Sequence, residues 1–269
     1  MSDKDPFKVE QDGHIAWLTL NRPDNRNAMG FVFFEELKKH FGRFDEDPSV
    51  RGVVIKAEGK SFTAGLDLIE FSPLLRGGAG ADVREELRRT ILKYQEGINA
   101  VERCRKPVIA AVHSHCIGGG VDLLCACDIR MATKDAIFSI RETRMGMIAD
   151  LGTLQRLPHI IGNGWFKELA LTGRDFTAQE ALQMGFITRI CEDRPGLYEE
   201  TKKIVSQIAS CPPLAVQGAK EVILYGRDHG VYASLHYDAQ KNAAALISED
   251  VMEAIGAFME KRTPVFKGK

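Results

Sequence analysis

Three short runs of buried-strand character recur along this chain with helical patterning between them, and that alternation limits the folds open to it. Val53-Val54-Ile55-Lys56-Ala57, Pro107-Val108-Ile109-Ala110-Ala111-Val112 and Ile129-Arg130-Met131-Ala132 are largely continuous apolar runs, not alternating ones. Runs of this kind suit strands covered on both faces, as in a parallel sheet. Parallel neighbours need long crossovers, and the intervening stretches read as helices. Apolar positions at Phe33, Phe34, Leu37 and Phe41 predict a helix near Phe31 to Phe44, and a second amphipathic pattern runs from Val83 to Cys104. The fold class is α/β.

The flanks extend this pattern. Phe7–Glu10 and Ile15–Leu20 are strand-like around an Asp12-Gly13 turn, which predicts a hairpin. Asn21 to Asn27 is polar and turn-rich, hence a loop. Ser72 to Gly80, with three glycines and a proline, is expected to be the most mobile loop. From about Gly162 the pattern is almost wholly helical, broken by Gly185 to Ile190, and Pro212-Pro213 separates two of the later helices. Residues 1–195 are therefore expected to form the core, with 196–269 a C-terminal helical region of the same fold. A chain of 269 residues buries enough surface to fold without a metal or a disulfide.

Charge and motifs exclude several functions. Thirty-six basic and 37 acidic side chains leave a net charge of −1, unlike a dedicated nucleic-acid binder. The best basic stretches, Lys38-Lys39 and Arg84, Arg88, Arg89, are interleaved with acids and read as solvated faces. No apolar run approaches the ~18 residues of a membrane helix. Met1 to Pro6 resembles neither a signal nor a transit peptide, and the C-terminus is not a Ser-Lys-Leu address, so a cytoplasmic location is expected. The six cysteines form no C-x-x-C pair and are expected to be buried thiols, with no metal site. Phosphate-loop, hydrolase-elbow, zinc-protease and dinucleotide-binding motifs are all lacking.

Two glycine-marked turns remain, each after a buried strand: Ser61-Phe62-Thr63-Ala64-Gly65-Leu66-Asp67-Leu68 and His115-Cys116-Ile117-Gly118-Gly119-Gly120-Val121-Asp122. The second leads into a helix over Val121–Ala126. Glycine lets a helix N-terminus approach a ligand and offer N–H groups to an oxygen that gains charge. Two such turns on neighbouring strands can aim two N–H groups at one oxygen; tight helix–strand packing would need the same glycines. Three acids follow: Asp122, Glu142 and Asp150, the last flanked by Ile148, Ala149 and Leu151. An acid in apolar surroundings should have a raised pKa and trade protons near neutrality. His113, His115 and His159 are read as structural, and Asp128 as a cap or partner at a strand entry.

Together with Leu20-Asn21-Arg22-Pro23, Lys106–Val112, Cys127-Asp128-Ile129, Gly152–Leu157 and Phe258–Arg262, these segments resemble the crotonase (enoyl-CoA hydratase/isomerase) superfamily across essentially the whole chain. The resemblance implies a spiral of ββα units with a C-terminal helical trimerisation region, assembled as a trimer or dimer of trimers. It implies an acyl-CoA thioester substrate whose carbonyl is polarised by the N–H groups of Leu66 and Gly119. Substrate contacts are implied for Ala64, Gly65, Asp67, Leu68 and Gly120, and phosphate contacts for Arg26 and for Lys261 or Arg262. Two segments depart from the pattern: Ser114, where relatives commonly carry glycine, and the unusually basic Arg141-Glu142-Thr143-Arg144, in which Arg141 or Arg144 would lower the pKa of Glu142 if close.

Within the superfamily, Gly118-Gly119-Gly120-Val121-Asp122, Glu142 and Ala149-Asp150-Leu151-Gly152-Thr153 look most like the isomerases that turn 3,5-dienoyl-CoA into 2,4-dienoyl-CoA. That implies two-carboxylate proton transfer through a dienolate, with Glu142 at carbon 2, Asp150 at carbon 6 and Asp122 assisting. No cofactor is expected beyond the coenzyme A of the substrate. The competing readings are a 2-enoyl-CoA hydratase and, more remotely, a non-catalytic RNA-binding relative.

Overall fold

The computed structural model describes residues 5–75, 78 and 80–269. The expected hairpin forms β1 (Phe7–Asp12) and β2 (Ile15–Leu20), which pair antiparallel. β2 then runs parallel to β3 (Gly52–Ala57), after the crossover helix α1 (Phe31–Glu46). Two helices, α2 (Leu68–Leu75) and α3 (Ala81–Arg103), lead to β4 (Val108–Val112), parallel to β3. The short β5 (His115–Ile117) and α4 (Gly119–Ala126) precede β6 (Ile129–Thr133), and β7 (Ile137–Ser139) follows it. After α5 (Thr153–Arg156), α6 (Asn163–Thr172), β8 (Asp175–Thr177) and α7 (Ala178–Gln183) comes β9 (Arg189–Cys191). Four helices close the chain: α8 (Arg194–Ala209), α9 (Pro213–His229), α10 (Val231–Ala245) and α11 (Glu249–Glu260).

The strands make two sheets, β1-β2-β3-β4-β6-β9 and β5-β7-β8. The large sheet is parallel apart from β1, as its continuous apolar strands require. One face meets α1 and α3, where Phe34, Leu37, Phe41, Ile98 and Val101 are fully buried. The other face meets α8, whose Leu197 and Val205 pack on Val54, Ile109, Ala111 and Met131. The expected boundary at residue 195 falls inside this helix, which covers the sheet. The second sheet escaped the sequence reading. Its three strands are three residues each, and β8 interrupts what was expected to be wholly helical. Phe138 of β7 stacks on Phe176 of β8, and Phe186 meets both rings edge-on.

Ser72 to Leu75, placed in a mobile loop, end α2 instead; Arg76, Gly77 and Ala79 of that loop lie outside the described residues. Cys104, Cys116, Cys125 and Cys127 are buried as expected, but Cys211 is exposed and Cys191 half-buried. Asp128 accepts from the Val108 N–H and from Lys220 Nζ, each at 2.7 Å, which pins α9 to the strand entry. Ser114 has φ +53°, in the left-handed region that favours glycine.

Burial falls away toward the C-terminus. Lys220 is the buried residue of α9, and α10 has none. Tyr232, Leu235, Leu246, Ile247 and Phe258 stand exposed. Tyr237 does not join them: it stacks on Tyr225 with ring centroids 4.4 Å apart. Among the described residues no helix is long and apolar enough to cross a membrane.

Candidate active site

The two glycine turns meet at one wall of a cavity of about 650 Å³. The turn after β3 is fixed by Asn27, whose amide donates to the Glu58 and Ser61 carbonyls at 2.8 and 3.0 Å. Met29 forms a parallel bridge with Leu66. In it the Met29 N–H donates to Gly65 C=O at 2.8 Å and the Asp67 N–H to Met29 C=O at 3.0 Å. That pattern turns the N–H of Leu66 away from Met29, and Leu66 lines the cavity. Gly119 opens α4, so its N–H has no partner inside the helix, and it lines the same cavity. The turns press so close that a Cβ on Gly65 (φ +85°) would lie 2.6 Å from the Ile117 carbonyl oxygen and 3.6 Å from the Gly119 nitrogen. Gly120 serves packing instead, since a Cβ there would meet Thr63 at 2.4 Å and Cys116 Sγ at 2.8 Å.

All three acids border this cavity. Asp122 is buried in the first turn of α4, where its Oδ1 accepts from the Thr153 N–H at 2.6 Å. Burial outweighs that bond and pushes its carboxyl up to about 6. Glu142 starts a short 3-10 turn, Glu142–Met145, and its Oε2 is buried with no hydrogen-bond partner among the described residues. Burial, with the neighbouring Asp122 charge next in weight, raises its carboxyl to about 7. Asp150 keeps substantial contact with solvent, yet partial burial still moves it above the usual range. An unpaired, desolvated carboxyl poised near neutrality is suited to proton transfer.

Arg141 and Arg144 do not depress Glu142, because both side chains are engaged elsewhere. Arg141 pairs with Asp175 and donates to Ser139 Oγ at 3.1 Å, and Arg144 donates to the Thr172 carbonyl at 2.9 Å. The remaining wall is largely apolar: Phe71, Leu87, Ile91, Tyr94, Met145, Met147 and Ile148, with Ala64 and Leu68 at the first turn. Sequence reasoning missed the contribution of α3. Its signal was the apolar stripe Leu87, Ile91, Tyr94, which reads equally as core packing.

Other expected contacts lie outside this wall. Asp67 is buried and its Oδ2 accepts from Asn25 at 2.8 Å and Arg22 at 3.3 Å, so it braces the Asn-rich loop. Arg26 is exposed within that loop, and its carbonyl accepts the Ala64 N–H at 2.9 Å. Lys261 is exposed at the C-cap of α11, whereas Arg262 is tied to Glu253 and Glu260. His113 is a core histidine: it contacts the Gly59 carbonyl at 3.2 Å, and burial lowers its pKa to about 4. Arg88 and Arg89 both pair with Glu85 on α3, as a solvated face does. One trio, Asp5, Glu36 and His40, has its ligand atoms close enough to hold a cation, but none of the three borders the cavity.

Residues 10–269 match the enoyl-CoA hydratase/isomerase family. The mouse protein named mitochondrial Δ(3,5)-Δ(2,4)-dienoyl-CoA isomerase is 44% identical over 253 residues, 93% of this chain and 77% of that one. Its peroxisomal counterpart from Arabidopsis thaliana is 43% identical over 264 residues, covering 97% and 95%. Those names place the two relatives in mitochondria and peroxisomes, where the sequence expectation for this chain was cytoplasmic. In structure, an enoyl-CoA hydratase from Bacillus anthracis superposes with a TM-score of 0.90 at 33% identity, over 98% of this chain and all of that one.

Proposed function

The chain belongs to the enoyl-CoA hydratase/isomerase family, a family of enzymes, and we propose that it isomerises 3,5-dienoyl-CoA to 2,4-dienoyl-CoA. The observation that supports this reading is that Glu142 and Asp150 line one largely apolar cavity with Leu66 and Gly119. The names of the mouse and Arabidopsis relatives point the same way.

The chemistry shifts two conjugated double bonds, so a proton leaves carbon 2 and another arrives at carbon 6. No electrons are gained or lost overall, so the reaction calls for no redox cofactor. Glu142, with its unpartnered oxygen, takes the carbon 2 proton. The charge passes along the dienolate to the thioester oxygen, which accepts from the Leu66 and Gly119 N–H groups. Asp150 then delivers a proton to carbon 6, four carbons away, beyond the reach of a single carboxyl. Asp122 raises the basicity of Glu142 through its own charge. Arg26 and Lys261 are assigned to the coenzyme A phosphates.

Self-association as a trimer or dimer of trimers belongs to the same proposal, because α10 and α11 leave large apolar side chains uncovered. The second reading, a 2-enoyl-CoA hydratase, is favoured by the Bacillus anthracis neighbour and shares Glu142. Purified protein given 3,5-octadienoyl-CoA and crotonyl-CoA side by side decides between them. Faster gain of conjugated-dienoyl absorbance supports the isomerase; faster loss of enoyl absorbance from crotonyl-CoA supports the hydratase.

A further inference from the structure

Asp150 borders two depressions. Besides the acyl cavity it lines a cleft of about 310 Å³ with polar walls, among them Gln95 and Glu102 of α3, Gln155 and Arg156 of α5, and Arg227 of α9. The two spaces share Asp150 and Leu151. Nothing in the isomerisation scheme uses the second one. Glu102 there accepts from Arg156 Nε at 3.0 Å and Arg227 Nη1 at 2.5 Å. Burial alone would raise its carboxyl, but the two guanidiniums outweigh burial and hold it below the usual range. The cleft is thus lined by fixed charge near neutral pH, which suits water better than an acyl chain.

The cleft also holds the segment that carries the acid. Gln95 Nε2 donates to the Asp150 carbonyl at 2.6 Å, and Arg156 Nη1 reaches the Leu151 carbonyl at 3.5 Å. The Asp150 carboxyl takes no side-chain partner among the described residues and keeps contact with solvent. With an acyl chain in the apolar cavity, water is displaced from that side of Asp150. At ~30 Å³ per water, the polar cleft has room for several on the other side.

We infer that this cleft is the route by which Asp150 exchanges its proton with bulk water while the acyl chain is bound. The inference rests on the reading of Asp150 as the acid at carbon 6. Asp150 gives its proton to carbon 6 and becomes a carboxylate, water in the cleft returns one proton to it, and Glu142 releases the carbon 2 proton to solvent. One proton enters and one leaves per turnover. Gln95 is on this account a positioning residue for the Asp150 backbone.

Two half-reactions in deuterated water separate the two acids. Washout of the carbon 6 protons of 2,4-octadienoyl-CoA reports Asp150, and washout of the carbon 2 protons of 3,5-octadienoyl-CoA reports Glu142. Gln155→Trp fills the cleft without removing an ionic partner; His159→Trp, on another wall, serves if the first variant does not fold. The expected result is a fall of at least about tenfold in carbon 6 washout, with carbon 2 washout within about twofold of the parent and Gln155→Ala changing neither. Folded plugged variants with an unchanged ratio of the two rates overturn the route. Wild-type protein that exchanges carbon 2 but never carbon 6 overturns instead the isomerase reading, and the route with it.

Discussion

Helices α4 and α10 both carry large apolar side chains and meet opposite fates. Every residue of α4, Gly119 to Ala126, is buried, whereas α10, Val231 to Ala245, buries none. The first packs against α3, α5 and β5, and burial drives the pKa of its acid Asp122 upward. The second packs against α9 through the Tyr225–Tyr237 stack and leaves Tyr232 and Leu235 outside. The difference teaches that the three candidate acids border a space formed within one chain, while α10 leaves apolar side chains uncovered that the proposed assembly would bury. Apolar surface left out by a folded chain marks a contact surface.

The largest effect expected on the enclosed side comes from Glu142→Gln. It keeps the shape and removes the base, so isomerisation should fall about 10²–10⁴-fold with acyl-CoA binding retained. An unchanged turnover number removes Glu142 from the scheme. On the open side, Tyr232→Asp combined with Leu235→Asp should break the assembly and leave activity per folded chain to be measured afresh. Light scattering should move from a trimer or hexamer to about the 29.9 kDa of one chain. A parent protein already at that mass contradicts the assembly.

Much of the enclosed region was legible in the sequence because its constraints are local. Continuous apolar runs gave β3, β4 and β6, and glycines that tolerate no Cβ marked the two turns. What was illegible depends on partners distant in the chain. The three-residue strands β5, β7 and β8 exist through their pairing, not through their own pattern. Arg141 next to Glu142 looked like a charge partner, but the strand geometry sends it to Asp175. Asp67, in the same motif as Leu66, turns toward Arg22 and Asn25 for the same kind of reason.

A smaller effect sharpens the role of the buried acid. The Asp122 charge helps hold Glu142 near 7, so Asp122→Asn should move the acidic limb of kcat/KM to lower pH without abolishing turnover. A limb that stays in place assigns the raised pKa to burial alone.

The smallest effect is on stability. Asp122 and Glu142 titrate higher in the folded chain, at about 6 and about 7, than the ordinary carboxylate values near 4. Between about pH 4 and 7 the folded state therefore binds more protons than the unfolded one, and stability falls as pH rises. Glu142→Gln removes one such group. Its Tm relative to the parent should rise from pH 4 to pH 8, and a difference independent of pH would contradict the shift.

The central claim is that two acids serve two carbons, and Asp150→Asn tests it most directly. A reaction confined to carbons 2 and 3 gives that carboxyl nothing to protonate, whereas delivery at carbon 6 requires it. The account predicts a loss of isomerisation of about 10²-fold or more, with carbon 2 exchange in deuterated water retained through Glu142, Leu66 and Gly119. Loss of both activities would reverse the two acids, and loss of neither would contradict the isomerase altogether.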